Sequence, residues 1–188
     1  VLDSLCFAGT ELSNLPVLIM DLMYVENPLK TLLPGLTFLG TLGIDVIRDH
    51  TVLLDYKSDV ILLDPEEDFE NAVEVPMECD KLPVIPVEVC GKTCDFVLDT
   101  GASFCLLGER FQEEGQLIPV SETPKIVTVP MVRVGGISYE NIKAAISDIT
   151  AIRKRVAVEG VIGYQVLSKQ RDILNFEKGK LLLEKTEK

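Results

Sequence analysis

The sequence predicts an all-β protein made of two related lobes, the first of them N-terminally incomplete. Three observations lead there. Of the 188 residues 47% are hydrophobic, with Val, Leu and Ile dominant and Trp absent, a composition that suits the pleated, half-buried surface of strands. Short apolar runs alternate with turn-forming residues along the chain. The third observation is that the chain repeats itself.

The repeat falls in two stretches. GTLGIDVIRDHTVLLDYKSDVILL at 40–63 lies without gaps over GVIGYQVLSKQRDILNFEKGKLLL at 160–183. Gly40 falls on Gly160, Gly43 on Gly163, Val46 on Val166, and Asp55-Tyr56 on Asn175-Phe176. Upstream, GTELSNLPVLIMDL at 9–22 lies over GISYENIKAAISDI at 136–149, with Asn14 on Asn141 and Asp21 on Asp148. Between its two stretches the first copy carries PLKTLLPGLTF, whose prolines mark a loop insertion.

Each copy reads as short strands. In the second, PVIPVEV and CDFVLDT are joined by a GKT turn and predict a hairpin. IVTVPMVRV alternates toward a Gly-Gly turn, and KAAISDI follows it. A tight VIG turn, a helical stretch around QVLSKQ and a closing hairpin, DILNF-EKGK-LLLE, complete the copy. PEEDFENAVEV at 65–75 is acidic and begins with Pro, which predicts a linker. The expected organisation is therefore the back half of a first lobe at 1–64, a linker at 65–75 and a complete second lobe at 76–188.

Charge and cysteine usage exclude several functions. A net charge of −12 repels a phosphate backbone and argues against a nucleic-acid partner. No apolar run reaches the ~18 residues a membrane helix needs, so no membrane span is expected. The five cysteines (Cys6, Cys79, Cys90, Cys94, Cys105) form no CxxC pair and are accompanied by one histidine, which argues against a zinc site; no metal or other cofactor is expected. Cys90 and Cys94 flank the GKT turn, within reach of each other across the hairpin. An odd count with no framework nonetheless fits reduced, buried thiols, which tilts localisation toward the cytoplasm. The first residues read as mid-strand rather than as a signal peptide, so the expectation is a trimmed chain, with a targeting signal upstream still compatible.

FVLDTGAS at 96–103 carries the strongest chemical signal. An apolar strand ends in Asp99, and the small residues Thr100, Gly101, Ala102 and Ser103 let the chain turn sharply and bring N–H groups near the carboxylate. Gly101 suits close backbone approach or positive φ. About 60 residues later comes an apolar-apolar-Gly turn, Val161-Ile162-Gly163.

FVLDTGAS together with EGVIGYQVLSKQRDILNF resembles the retropepsin-like aspartic proteases, including bacterial families with two such units. The resemblance implies a closed β acid-protease fold in which the Asp turn of one lobe meets a counterpart from a second lobe. It implies that Asp99 is a catalytic carboxylate, that Thr100 bonds across the lobe interface, that Gly101 shapes the turn, and that 115–135 supplies a flap. Gln165, opposite Asp45 of the first copy, departs from a family position that is often acidic. The implied substrate is a peptide or protein, cleaved by an aspartic endopeptidase; a catalytically inactive peptide-binding or interaction module on the same fold is the alternative. The second lobe would come from a missing N-terminal segment or from a second chain.

VLDS at the start of the chain looks like a counterpart of VLDT, but register argues otherwise. Asp99 precedes Gly136 by 37 residues, whereas Asp3 precedes Gly9, the match of Gly136, by six. Extending the gapless match places Asp3 opposite Pro130, on a strand leading to a turn, with Leu5 and Phe7 alternating. His50 has no nucleophile motif beside it and reads as a surface residue, and Cys105 reads as a small buried hydrophobe.

Overall fold

The computed structural model describes residues 1–19, 40–66 and 71–185. The PLKTLLPGLTF insertion and the match of Asp21 with Asp148 fall on residues outside that set. The chain divides into two compact units, Val1–Asp49 and His50–Lys188. The division therefore comes before the closing hairpin of the first copy, not after it at residue 64, because that hairpin is hydrogen-bonded into the second unit.

In the first unit, β1 (Leu2–Phe7) and β2 (Thr10–Leu15) form an antiparallel hairpin. Ala8 and Gly9 turn it with positive φ, as a two-residue hairpin turn requires. The one-turn helix α1 (Ile44–Ile47) follows Gly43.

The second unit contains two sheets. Its first copy-derived hairpin is β3 (Thr51–Asp55) with β4 (Val60–Leu63), and β5 (Ala72–Pro76) follows. Residues 72–75 of the expected linker are thus strand: Val73 and Val75 alternate, and Val75 is fully buried. Next come β6 (Val84–Val89), β7 (Lys92–Leu98), β8 (Cys105–Gly108), a short 3-10 helix (Glu109–Glu113) and β9 (Ile118–Glu122). Then follow β10 (Lys125–Val134), β11 (Ile137–Ser147), the short α2 (Thr150–Arg153), β12 (Gly160–Ile162), α3 (Tyr164–Leu167), β13 (Arg171–Asn175) and β14 (Lys180–Glu184).

Six strands close into a barrel, in the order β6-β7-β12-β8-β11-β10 and back to β6. Closure removes the free edges an open sheet would expose. Phe96, Val87, Ile142, Ala144 and Leu107 fill the interior at 2% exposure or less. Among the described residues β9 pairs only with β10, and it carries the exposed Ile118 and Val120; the hairpin it makes lies within the stretch expected to be a flap.

The repeat is written into the backbone as well as the sequence. Moving β1–β2 by 127 positions reproduces the β10–β11 ladder: Leu5↔Leu12 becomes Val132↔Tyr139, and Phe7↔Thr10 becomes Val134↔Ile137. Ala8, Gly9 and Asn14 have φ of 50, 80 and 56°, and their counterparts Gly135, Gly136 and Asn141 have 57, 84 and 55°. Asn suits such left-handed positions because its short amide tolerates them. Asp3 accordingly lies inside a strand, in the position of Pro130.

The second sheet runs β4-β3-β13-β14-β5. At its centre β3 and β13 are antiparallel, with Leu53 opposite Ile173, Thr51 opposite Asn175, and Asp55 opposite Arg171. Since Leu53 and Ile173 are repeat equivalents, the two closing hairpins are related by a local two-fold axis through that pair. Leu53, Ile173, Leu181 and Leu183 are each 3% exposed or less, and full burial of such a side chain stabilises by about 1.5–3 kcal/mol. One carboxyl interrupts the face that carries Leu181 and Leu183. Asp172 is fully buried between Leu54 and Leu183, accepting a hydrogen bond from the buried Gln170 amide at 2.7 Å. Its Oδ2 has no hydrogen-bond partner, and burial pushes its pKa up to about 8 against the opposing Gln170 bond.

Candidate active site

The Asp turn is positioned by two parallel strands. β7 and β12 pair side by side, with Leu98 opposite Ile162, so both end at the same rim of the barrel. There the Asp99 N–H donates to the Ile162 carbonyl at 2.9 Å and the Leu98 N–H to Pro83 at 2.8 Å. The turn folds back on itself: the Ala102 N–H donates to the Asp99 carbonyl at 3.2 Å, and the Gly101 N–H to Asp99 Oδ1 at 2.9 Å. A hydrogen bond to a carboxylate is stronger than a neutral one and fixes its direction.

Gly163 locks the other side. The Tyr164 N–H donates to the Ala102 carbonyl at 2.8 Å, and the backbones approach so closely that a Cβ on Gly163 would sit 2.2 Å from that oxygen. Gly101 is needed for space rather than for positive φ, since a Cβ there would crowd Asp99 Oδ1 at 3.3 Å. Gly163→Ala should therefore cost at least about 2 kcal/mol, the scale of forced overpacking. Gly115→Ala, in open space, should stay within about 0.5 kcal/mol. Urea titration of the two variants checks this; equal stabilities would contradict the role given to Gly163.

The turn brings Asp99, Thr100, Gly101, Ala102 and Gly163 together. Asp99, Thr100 and Ser103 are exposed, Ala102 is half-buried and Gly163 is buried. Ser103 stands at the exit of the turn, before the exposed Phe104 and the buried Cys105. Burial pushes the Cys105 thiol pKa up, against a weaker backbone hydrogen bond from Gly163, which opposes a thiolate there. The five cysteines are free thiols. His50 is tied to structure: its Nδ1 lies 2.7 Å from Asp64 Oδ2, and Asp64 Oδ1 accepts the Thr51 N–H at 2.9 Å. The His50 hydrogen bond is the main reason the Asp64 pKa is lowered. Among the described residues no group of three His, Cys, Asp or Glu could hold a metal ion, and no described helix is long and apolar enough to cross a membrane.

Sequence reasoning missed one neighbour of the site. Tyr56, at the end of β3, packs edge-on against Tyr164 with ring centroids 5.4 Å apart. Burial, then the negative charges of Asp172, Tyr164 and Asp99, push its pKa up to about 12, so it remains a neutral hydroxyl at ordinary pH. Tyr56, Leu54, Val60 and Ile61 wall a cleft of about 390 Å³ that Thr100 also lines. The available signal was the match of Asp55-Tyr56 with Asn175-Phe176, where the first strand of the closing hairpin ends in both copies.

Residues 85–166 match the family model described as aspartyl protease. The match runs from β6 into α3 and contains both the Asp99 turn and the Gly163 turn. A search of curated proteins finds no match. Among solved structures, a retropepsin-like aspartic protease from Rickettsia conorii is similar at 22% identity, over 60% of this chain and 88% of that one, with a TM-score of 0.43. The barrel that presents Asp99 beside Gly163 is thus the part of the chain that matches the aspartyl protease family model.

Proposed function

We propose that the protein is an aspartic endopeptidase in which Asp99 supplies one of two catalytic carboxyls. The observation that carries this is the Asp99 carboxylate, held by the Gly101 N–H at the end of a strand whose own N–H groups are tied to Ile162 and Pro83. Rigid placement of a reacting carboxyl is what general acid–base catalysis needs.

The second carboxyl belongs to a second lobe, supplied by a segment outside residues 1–188 or by another chain. Asp3 does not fill this role, because it lies within a strand of the β1–β2 hairpin rather than on a strand-ending turn. Two carboxyls ~3 Å apart share one proton, since like charges that close cannot both persist. The ionised member takes a proton from water, whose oxygen attacks the peptide carbonyl carbon. The protonated member donates its proton to the carbonyl oxygen. Collapse of the tetrahedral intermediate breaks the C–N bond as a carboxyl protonates the leaving nitrogen, giving a free acid and a free amine. The reaction uses no cofactor. Thr100 contacts the opposite lobe, and the β9–β10 hairpin closes over the substrate.

The exposure of Asp99 and Thr100 favours a second reading, in which the same turn serves a peptide-binding module without catalysis. Incubation with a peptide mixture and mass spectrometry of the products separates the two. Internal cleavage with new amino and carboxyl termini is the expected result; peptides retained intact would support the binding module instead.

A further inference from the structure

One residue is at odds with its place in the fold. Asp172 is 0% exposed on β13, in a row between Leu54 and Leu183, and its repeat counterpart Val52 is 3% exposed between Leu174 and Leu63. A valine satisfies the packing of this position in one copy, so the fold does not call for a carboxyl in the other. Gln170 gives Asp172 one hydrogen bond, to Oδ1 at 2.7 Å, and Oδ2 has none.

The groups around it do not offset its charge. Tyr139 of β11 is 5% exposed, and its hydroxyl also lacks a hydrogen-bond partner; burial, then the Asp172 charge, raise its pKa. Tyr139 too has an apolar counterpart, Leu12. Arg171 lies on the other face by alternation, 3.6 Å from Asp55 and 3.4 Å from Glu184. Lys169, Lys185, Glu140 and Glu184 line a cleft of about 530 Å³ outside Tyr139 and Gln170. Buried polar groups are ordinarily paired, and each exception needs a reason. This one is tolerable while the carboxyl keeps its proton, because an ionised carboxylate with a single bond in an apolar layer costs far more.

The same row leads to the Asp99 turn. Tyr56 follows Leu54 by two residues and shares its face, which is also the face of Asp172. Burial, then the Asp172, Tyr164 and Asp99 charges, push the Tyr56 pKa up to about 12, which sets this ring between the two carboxyls. Tyr56 packs edge-on against Tyr164, whose N–H donates to the Ala102 carbonyl of the turn at 2.8 Å.

We propose that Asp172 is a pH-sensitive latch for the Asp99 turn. With its proton in place the sheet seats on the barrel, where the Gly135 turn packs against Val73 and Val75, and Tyr56 supports Tyr164. When the proton leaves to solvent, the buried charge opens β13 locally and the turn loosens through Tyr56 and Tyr164. Local opening of this kind needs less free energy than global unfolding. Burial, against the Gln170 bond, lifts the Asp172 pKa to about 8, so the latch is closed in acid and neutral solution and released above that value. The latch acts on the position of Asp99 and does not depend on its chemistry.

The test is a backbone NMR titration of the full chain across the Asp172 value. Amide signals of Gly101, Ala102 and Tyr164 should shift together with those of β13, at one midpoint shared by the Asp172 carboxyl carbon. Asp172→Asn, whose side-chain oxygen can still accept from Gln170, and Asp172→Val, which copies Val52, should each abolish the common shift. Asp99→Asn should titrate as the wild type does, so failure of the catalytic reading would leave the latch standing. Turn signals that stay fixed, that follow a midpoint other than that of the Asp172 carboxyl, or that still shift in either folded Asp172 variant would overturn the proposal.

Discussion

Asp99→Asn should reduce peptide hydrolysis by at least about a thousandfold, within the range that general acid–base groups contribute, while leaving the fold intact. The reason is local. An asparagine side-chain oxygen can still accept the Gly101 N–H that Asp99 Oδ1 accepts at 2.9 Å, so the turn keeps its geometry. What the amide cannot do is take a proton from water at neutral or acid pH or share a proton with a second carboxyl. The loss should appear in kcat and in kcat/KM together, as for an interaction made only in the transition state. Thermal denaturation of the variant within a few degrees of the wild type completes the test. Residual activity near the wild-type level would remove Asp99 from the mechanism.

The pH dependence of stability should fall on Asp172. Its carboxyl lies fully buried between Leu54 and Leu183 with Oδ2 unpartnered, and burial lifts its pKa from 3.8 to about 8. The Tyr56 and Tyr139 phenols, both held neutral by burial with the Asp172 charge adding to the effect, face the same group. For an acid with a raised folded pKa, the native state holds a proton that the unfolded chain releases. Stability is therefore full below pH ~4, falls as pH rises, and levels off above pH ~8. Between pH 5 and pH 8 the wild type should lose on the order of 4 kcal/mol through this group. Asp172→Asn removes the titration, so its urea-denaturation free energy should change far less over that range. Equal slopes would show that Asp172 is not the responsible carboxyl.

The parts of the fold that were legible in the sequence are those with a local cause. Alternation placed β10 and β13, and the glycines at 135 and 136 marked a turn their φ values require. Asp99 was legible because a strand must stop at a turn of small residues, and Gly163 because it repeats at Gly43. The repeat register even assigned Asp3 to a strand. Less legible were features whose cause is distant in the chain. Nothing local to 51–63 says that β3 pairs with β13, residue 53 against residue 173; both strands are apolar enough to pair with several others. That pairing moved the unit boundary and brought Tyr56 beside Thr100. β5 was masked by acidic neighbours, although Val73 and Val75 supply its buried face and the Gly135 turn packs against both. Asp172 was missed because RDILNF reads as a strand with a charged, solvated start, whereas cross-strand Leu54 and Leu183 bury it.

The most direct measurement is the rate of peptide hydrolysis by the intact protein as a function of pH, with and without pepstatin. A shared-proton carboxyl pair predicts a bell-shaped rate confined to acid and neutral pH and abolished by stoichiometric pepstatin. Hydrolysis that rises into alkaline pH and ignores pepstatin would contradict the assignment of Asp99 to a carboxyl pair.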